Sequence, residues 1–263
     1  MMRSMQAQHY KLAGLVVISI VAITVALLLP PIPQDPAYHE FVDQRALYGL
    51  PNFWNVVSNL PFVIAGLLGL LLLNRQSPVE GGLPVLYPAY RVFFIGVLLT
   101  GFGSAWYHLA PTNESLVWDR LPMTLAFMAF FSMVIGEHLS PGLGRRLLWA
   151  LLFAGVLSIV YWHLTESAGR GDLRPYGLVQ FLPMLLVPVI LLIFRSRLDG
   201  AGYLWGMVAA YVVSKLAEYY DAEIYAVTGF LSGHSIKHLI AAAGTLFIYL
   251  ALRNRQPLNN KSL

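Results

Sequence analysis

The chain has 263 residues, 57% of them hydrophobic and only 11% charged, with a formal net charge of +4. Soluble domains carry about 25% charged residues, so this chain cannot cover a water-facing surface and reads as an integral membrane protein. Cysteine is absent, which excludes a disulfide framework and thiolate metal sites. The positive charge follows membrane topology, so no nucleic-acid partner is expected.

A spanning helix needs about 20 predominantly apolar residues. Eight stretches qualify in chain order: Leu12–Pro30, Phe53–Leu73, Arg91–His108, Arg120–Ile135, Leu147–His163, Pro175–Phe194, Tyr203–Tyr220 and His234–Leu252. No long soluble insertion separates them. The predicted fold is all-α, a polytopic seven-helix bundle with an additional N-terminal transmembrane helix. Residues 1–30 form that anchor, 31–52 a non-cytoplasmic loop, 53–252 the seven-helix membrane domain, and 253–263 a cytoplasmic tail expected to lack order. The basic start and apolar run of the first segment also fit a signal peptide. No A-x-A site precedes Pro30-Pro31-Ile32-Pro33, which favours a retained helix.

Lysine and arginine placement sets orientation. With a cytoplasmic N-terminus, the cytoplasmic side holds Arg3, Lys11, Arg75, Arg91, Arg145, Arg146, Arg195, Arg197, Arg253, Arg255 and Lys261. The other side holds Arg45, Arg120, Arg170 and Arg174, a bias of eleven to four. His108 ends the third segment, Asp119 precedes the fourth and His234 opens the eighth, so all three fall at the non-cytoplasmic end. Asn55, Ser58 and Asn59 fall there too.

Ionisable residues in spanning segments are costly and normally face the bundle interior with a partner. His234 and His238 stand four apart, so both imidazoles share one helix face, a spacing that suits one zinc ion or a simple interfacial hydrogen bond. His108 at the same depth favours zinc. Three histidines leave a fourth tetrahedral position open, as in catalytic zinc sites. In that reading Asp119 takes a proton from water and returns it to a leaving amine. Ser104, one turn before His108, donates to a developing oxyanion. The alternatives are structural: Ser104 bonded to a carbonyl of its own helix, and Asp119 serving a helix start.

Four ordered elements resemble the alkaline ceramidase family, within the seven-helix membrane hydrolases that include the progestin and adipoQ receptors and hemolysin III proteins. They are Asn52-Phe53-Trp54-Asn55-Val56-Val57-Ser58-Asn59, Ser104-x3-His108, Asp119 with Leu121-Pro122-Met123, and His234-x3-His238. The resemblance covers roughly Asn52 to Leu252. It implies a ceramidase-like domain over 53–252, zinc on His108, His234 and His238, and Ser104 and Asp119 beside it. The implied reaction is hydrolysis of a ceramide-like amide to a sphingoid base and a fatty acid. Animal members carry a calcium site of acidic residues before the first core helix. Here Glu40, Asp43 and Asn52 are the candidate ligands, with Asn52 where the family tends to have glutamate. Lys237 replaces a common aromatic residue and is expected to point away from the site, toward lipid headgroups.

Lys215 and Glu218, three apart, read as an intrahelical ion pair or a headgroup contact. Glu218, Asp221 and Glu223 read as a second cation site or, more simply, a solvated acidic helix end. His163 is a spare metal candidate. Gly101 and Gly103 permit close helix approach near His108.

Three functions compete: a zinc amidase acting on ceramide-like lipid, a receptor or sensor of the adipoQ-receptor or hemolysin III type with structural zinc, and a transporter. The NxxSN signature favours the first. A transporter predicts polar residues through the midplane, whereas here they cluster at one end. Short loops suit a bacterial inner membrane, with the active site toward its non-cytoplasmic side.

Overall fold

The computed structural model describes residues 2–75 and 80–258. Ten α-helices carry the fold, and no strand is present among the described residues. They are α1 (Met2–Leu28), α2 (Phe53–Val57), α3 (Leu60–Arg75), α4 (Tyr87–Leu109), α5 (Asn113–His138), α6 (Pro141–Ser167), α7 (Arg174–Ile193), α8 (Gly202–Tyr219), α9 (Asp221–Thr228) and α10 (Gly233–Asn254). The chain is a polytopic helical membrane protein: among the described residues seven spans, including the N-terminal one, are long and apolar enough to cross a bilayer. Eight crossings were expected. The helix that falls short is α8, which carries Lys215, Glu218 and several tyrosines yet packs extensively on α10.

Two segments depart from their apolar runs for local reasons. The Phe53–Leu73 stretch breaks into α2 and α3, because the ladder shifts to tighter bonds (Asn59 N–H to Val56 O, Phe62 N–H to Asn59 O) and Pro61 has no N–H to give. The helix expected from Arg120 starts at Asn113. Thr112 caps it, its hydroxyl accepting from Ser115 N–H while Ser115 Oγ accepts from Thr112 N–H. Asp119 therefore lies nearly two turns inside α5, and its proposed service at a helix start does not hold.

The core is a run of large side chains shared by α4 and α5, including Tyr90, Phe93, Phe94 and Phe130. Glycine brings α4 close: a Cβ on Gly103 would stand 1.9 Å from the Trp118 carbonyl, and one on Gly101 2.6 Å from Val63 Cγ2. That carbonyl is the one that Pro122, four residues on, cannot use.

At the end opposite the histidines, Arg255 is 3% exposed and forks onto Glu137 with bonds of 2.8 and 2.9 Å. Tyr90 OH donates to the same carboxylate at 3.0 Å. Leu258 N–H donates to Arg197 O, and Asp199 N–H to Gln256 O. The expected disorder of the tail thus fails up to Leu258. Residues 259–263, Lys261 among them, lie outside the described residues.

Helix α1 touches mainly α7 and exposes most of its apolar surface. Arg174 ties down its end, donating to the carbonyls of Leu27 and Leu29. The linker that follows lies over the bundle, fixed by Leu173 N–H to Ile32 O and by Gln34 N–H to Glu166.

Candidate metal centre and active site

His108 projects from the last turn of α4, His234 from the first turn of α10, and His238 one turn further on. All three are buried. Their ring centroids form a nearly equilateral triangle with sides of 4.9, 4.9 and 5.0 Å. One nitrogen from each lies within 4.8 Å of the others. His108 Nε2 and His234 Nε2 approach to 3.3 Å. Among the described residues this is the one grouping of histidine and carboxylate side chains with the geometry to hold a metal.

The α2–α3 break explains how His238 is oriented. Ser58 Oγ donates to Asn55 O at 3.2 Å and lies 2.8 Å from His238 Nδ1. In the tautomer whose Nε2 lone pair is free for a cation, Nδ1–H donates to this hydroxyl, whose own hydrogen goes to the Asn55 carbonyl. Asn55 accepts from Ser235 Oγ at 2.8 Å and donates to Asp43 O at 3.1 Å. The Asn-x-x-Ser-Asn motif is thus a brace on α10.

The donor set fits a borderline cation such as zinc. Three buried imidazoles converge, and no carboxylate closes the set. Phe41, from the linker, packs on His108 and His234 with ring centroids 4.6 and 5.1 Å away and shields the cluster. His108 Nδ1 has no hydrogen-bond partner among the described residues.

Beside the triad runs a cavity of about 240 Å³. His238, Ser104, Asp119 and Lys237 line its polar end, and Phe93, Phe127, Phe130 and Met207 are among its apolar walls. Ser104 lies next to the Asp119 carboxylate. Lys237 does not point away as expected. It donates to Glu218 at 2.5 Å inside the cavity wall, and Lys215 pairs with the same carboxylate. The expected Lys215–Glu218 pair is therefore half of a three-residue cluster.

Other expectations fare differently. Asp43 is engaged by Arg45 at 2.8 Å through both oxygens, and that hydrogen-bonded guanidinium holds its carboxyl below the usual aspartate range. Asn52, in the left-handed region at φ 47°, donates to the carbonyl of His108 at 2.8 Å and so caps α4. Glu40 is exposed. A calcium site on Glu40, Asp43 and Asn52 finds no support. Asp221 accepts from His234 N–H at 2.7 Å, so it caps α10. The second cation site proposed on it does not form. His163 stands outside the triad.

Fold and site together define a polytopic helical membrane protein with a buried three-histidine centre at one end. The family profile described as Ceramidase matches residues 48–196, more than half of the chain, and the chain belongs to the ceramidase family. The match contains Ser58, Ser104, His108 and Asp119, stops before α10, and begins near the end of the linker, after Gln34, Tyr38 and Phe41. The chain is also similar to human SID1 transmembrane family member 1, 29% identical over 99 residues, which is 33% of this chain and 12% of that protein. The chain thus spans a small part of that relative's length.

Proposed function

We propose that this protein is a zinc-dependent intramembrane amidase that cleaves ceramide-like lipids to a sphingoid base and a fatty acid. The observation that carries the proposal is the buried histidine triangle standing against an apolar cavity whose polar end holds Ser104 and Asp119.

His108, His234 and His238 would hold the ion. Bound there, zinc supplies Lewis acidity and brings the pKa of water toward 7. Asp119 accepts a proton from the attacking water as the new C–O bond forms at the amide carbon. It returns that proton to nitrogen as the C–N bond breaks, so that amine and carboxylic acid leave. Ser104 Oγ–H donates to the oxygen on which charge develops. The phenylalanine-lined wall accepts an acyl tail, and the Lys215–Glu218–Lys237 cluster meets the polar headgroup. With α8 taken as the eighth crossing, the eleven-to-four bias of basic residues supports an orientation with this end on the non-cytoplasmic face, as in a bacterial inner membrane.

The test is turnover of a ceramide panel by wild type and Asp119→Asn, with metal content measured on both. Asp119→Asn should keep its zinc and lose about a hundredfold or more in rate. Full activity in that variant would remove the proton role.

A further inference from the structure

A second feature of this end is unused by the hydrolysis. Arg120, next to Asp119 on α5, is 5% exposed, yet among the described residues no carboxylate forms an ion pair with it. Its Nη2 donates to Gln34 Oε1 at 2.7 Å, and its Nη1 is buried with no hydrogen-bond partner among the described residues. Three aromatic rings surround the guanidinium: Trp162 at 4.5 Å, Tyr176 at 4.9 Å and Tyr38 at 5.4 Å. Aromatic faces offset part of the cost of burying a cation, but a buried arginine normally also has an anion. Of the nearby acids, Asp119 lies close enough to feel the charge of Arg120 but turns to Ser104 and makes no ion pair or hydrogen bond with the guanidinium. Asp172 pairs with Arg174, and Glu166 accepts from Gln34 N–H.

Arg120 stands where two cavities meet. With Tyr176 and Gln180 it lines both the catalytic cavity and a second one of about 520 Å³ between α1 and α7. That volume is in the range of a ligand site. The second cavity is apolar along its length, with Ala22, Ala26, Leu29, Phe181, Leu182 and Leu185 in its wall. Gln34 and Tyr38 of the arginine box, like α1, precede the part of the chain that matches the family.

The geometry points to a second lipid site, in which Arg120 binds the carboxylate of a long-chain fatty acid and the α1–α7 groove takes its chain. A carboxylate supplies a directly bonded anion and two acceptors for the guanidinium fork, and one alkyl chain matches one apolar groove. Placed beside the catalytic cavity, the site receives the acid that amide cleavage releases. The inference rests on the amidase reading for the source of its ligand, but not for its binding.

The experiment measures binding of palmitate to the full-length protein purified in detergent, without ceramide, and compares methyl palmitate and a lysophospholipid of the same chain. Wild type should bind palmitate about tenfold more tightly than the ester, since a charged hydrogen bond is at stake. Arg120→Gln should abolish that preference, and Arg120→Lys should keep part of it. Ala26→Trp, which fills the groove, should weaken palmitate binding with zinc content unchanged. Equal binding of acid and ester, an undiminished preference in Arg120→Gln, or displacement of palmitate by equimolar lysophospholipid would overturn the site. The acid–ester comparison on wild type stands even if Arg120→Gln does not fold. If ceramide is not cleaved but the palmitate preference holds, the amidase reading falls and this site remains.

Discussion

Ser58 shows how much a single hydroxyl decides here. It is not among the candidate ligands, yet its place between Asn55 O and His238 Nδ1 suits the tautomer in which His238 Nε2 would bind a metal. Partners of this kind are typically worth ten- to a hundredfold in metal affinity. Ser58→Ala should therefore bind zinc about tenfold or more weakly in chelator competition, with the fold intact. Unchanged affinity would mean that His238 is oriented by its helix alone. The three histidines, Ser104 and Asp119 were legible in the sequence because their spacing and depth put them at one end of the bundle. Phe41 and Lys237 were not. Phe41 lies in a linker without periodicity, so nothing placed it over His108 and His234. Lys237 was expected to turn away toward lipid headgroups, and only the packing of α8 on α10 reveals that Glu218 draws it inward.

Among the elements, the α4–α5 pair positions Ser104 and His108 against Asp119. Its close approach depends on Gly103 meeting the Trp118 carbonyl that Pro122 leaves free. Gly103→Ala cannot be relieved by a side-chain rotation, because the obstacle is backbone, so the helices must separate. Overpacking of this kind costs about 1–3 kcal/mol. The variant should melt earlier and lose turnover while retaining the histidines. Wild-type stability and activity in Gly103→Ala would show that the contact is not limiting. The apolar runs announced these helices, but the true start of α5 was hidden. Thr112 to Ser115 read as a polar loop, and a serine at the third helical position replaces the usual glutamate of a capping box.

For the whole molecule, the sequence placed seven helices around one polar end and an eighth beside them. What it did not convey was how α1 is fastened. Arg174 reaches two carbonyls at its end and is itself held by Asp172, whose bonds to Arg174 and Tyr161 push its pKa down to about 2. A depressed folded-state pKa stabilises the fold above the ordinary aspartate range and loses that contribution as pH falls through it. The attachment of α1 should therefore weaken between about pH 4 and pH 2. Asp172→Asn should be weakened already at neutral pH and lose that acid dependence, as hydrogen exchange or proteolysis of the 29–34 linker would report. An identical acid profile in wild type and variant would remove Asp172 from the fastening.

The central claim is that the histidine triangle holds a zinc ion on which hydrolysis depends. Its most direct measurement is metal content together with ceramide hydrolysis on wild type and His238→Ala. Wild type should carry about one zinc per chain, and His238→Ala should lose both metal and turnover. Full ceramide hydrolysis by metal-free protein would contradict it.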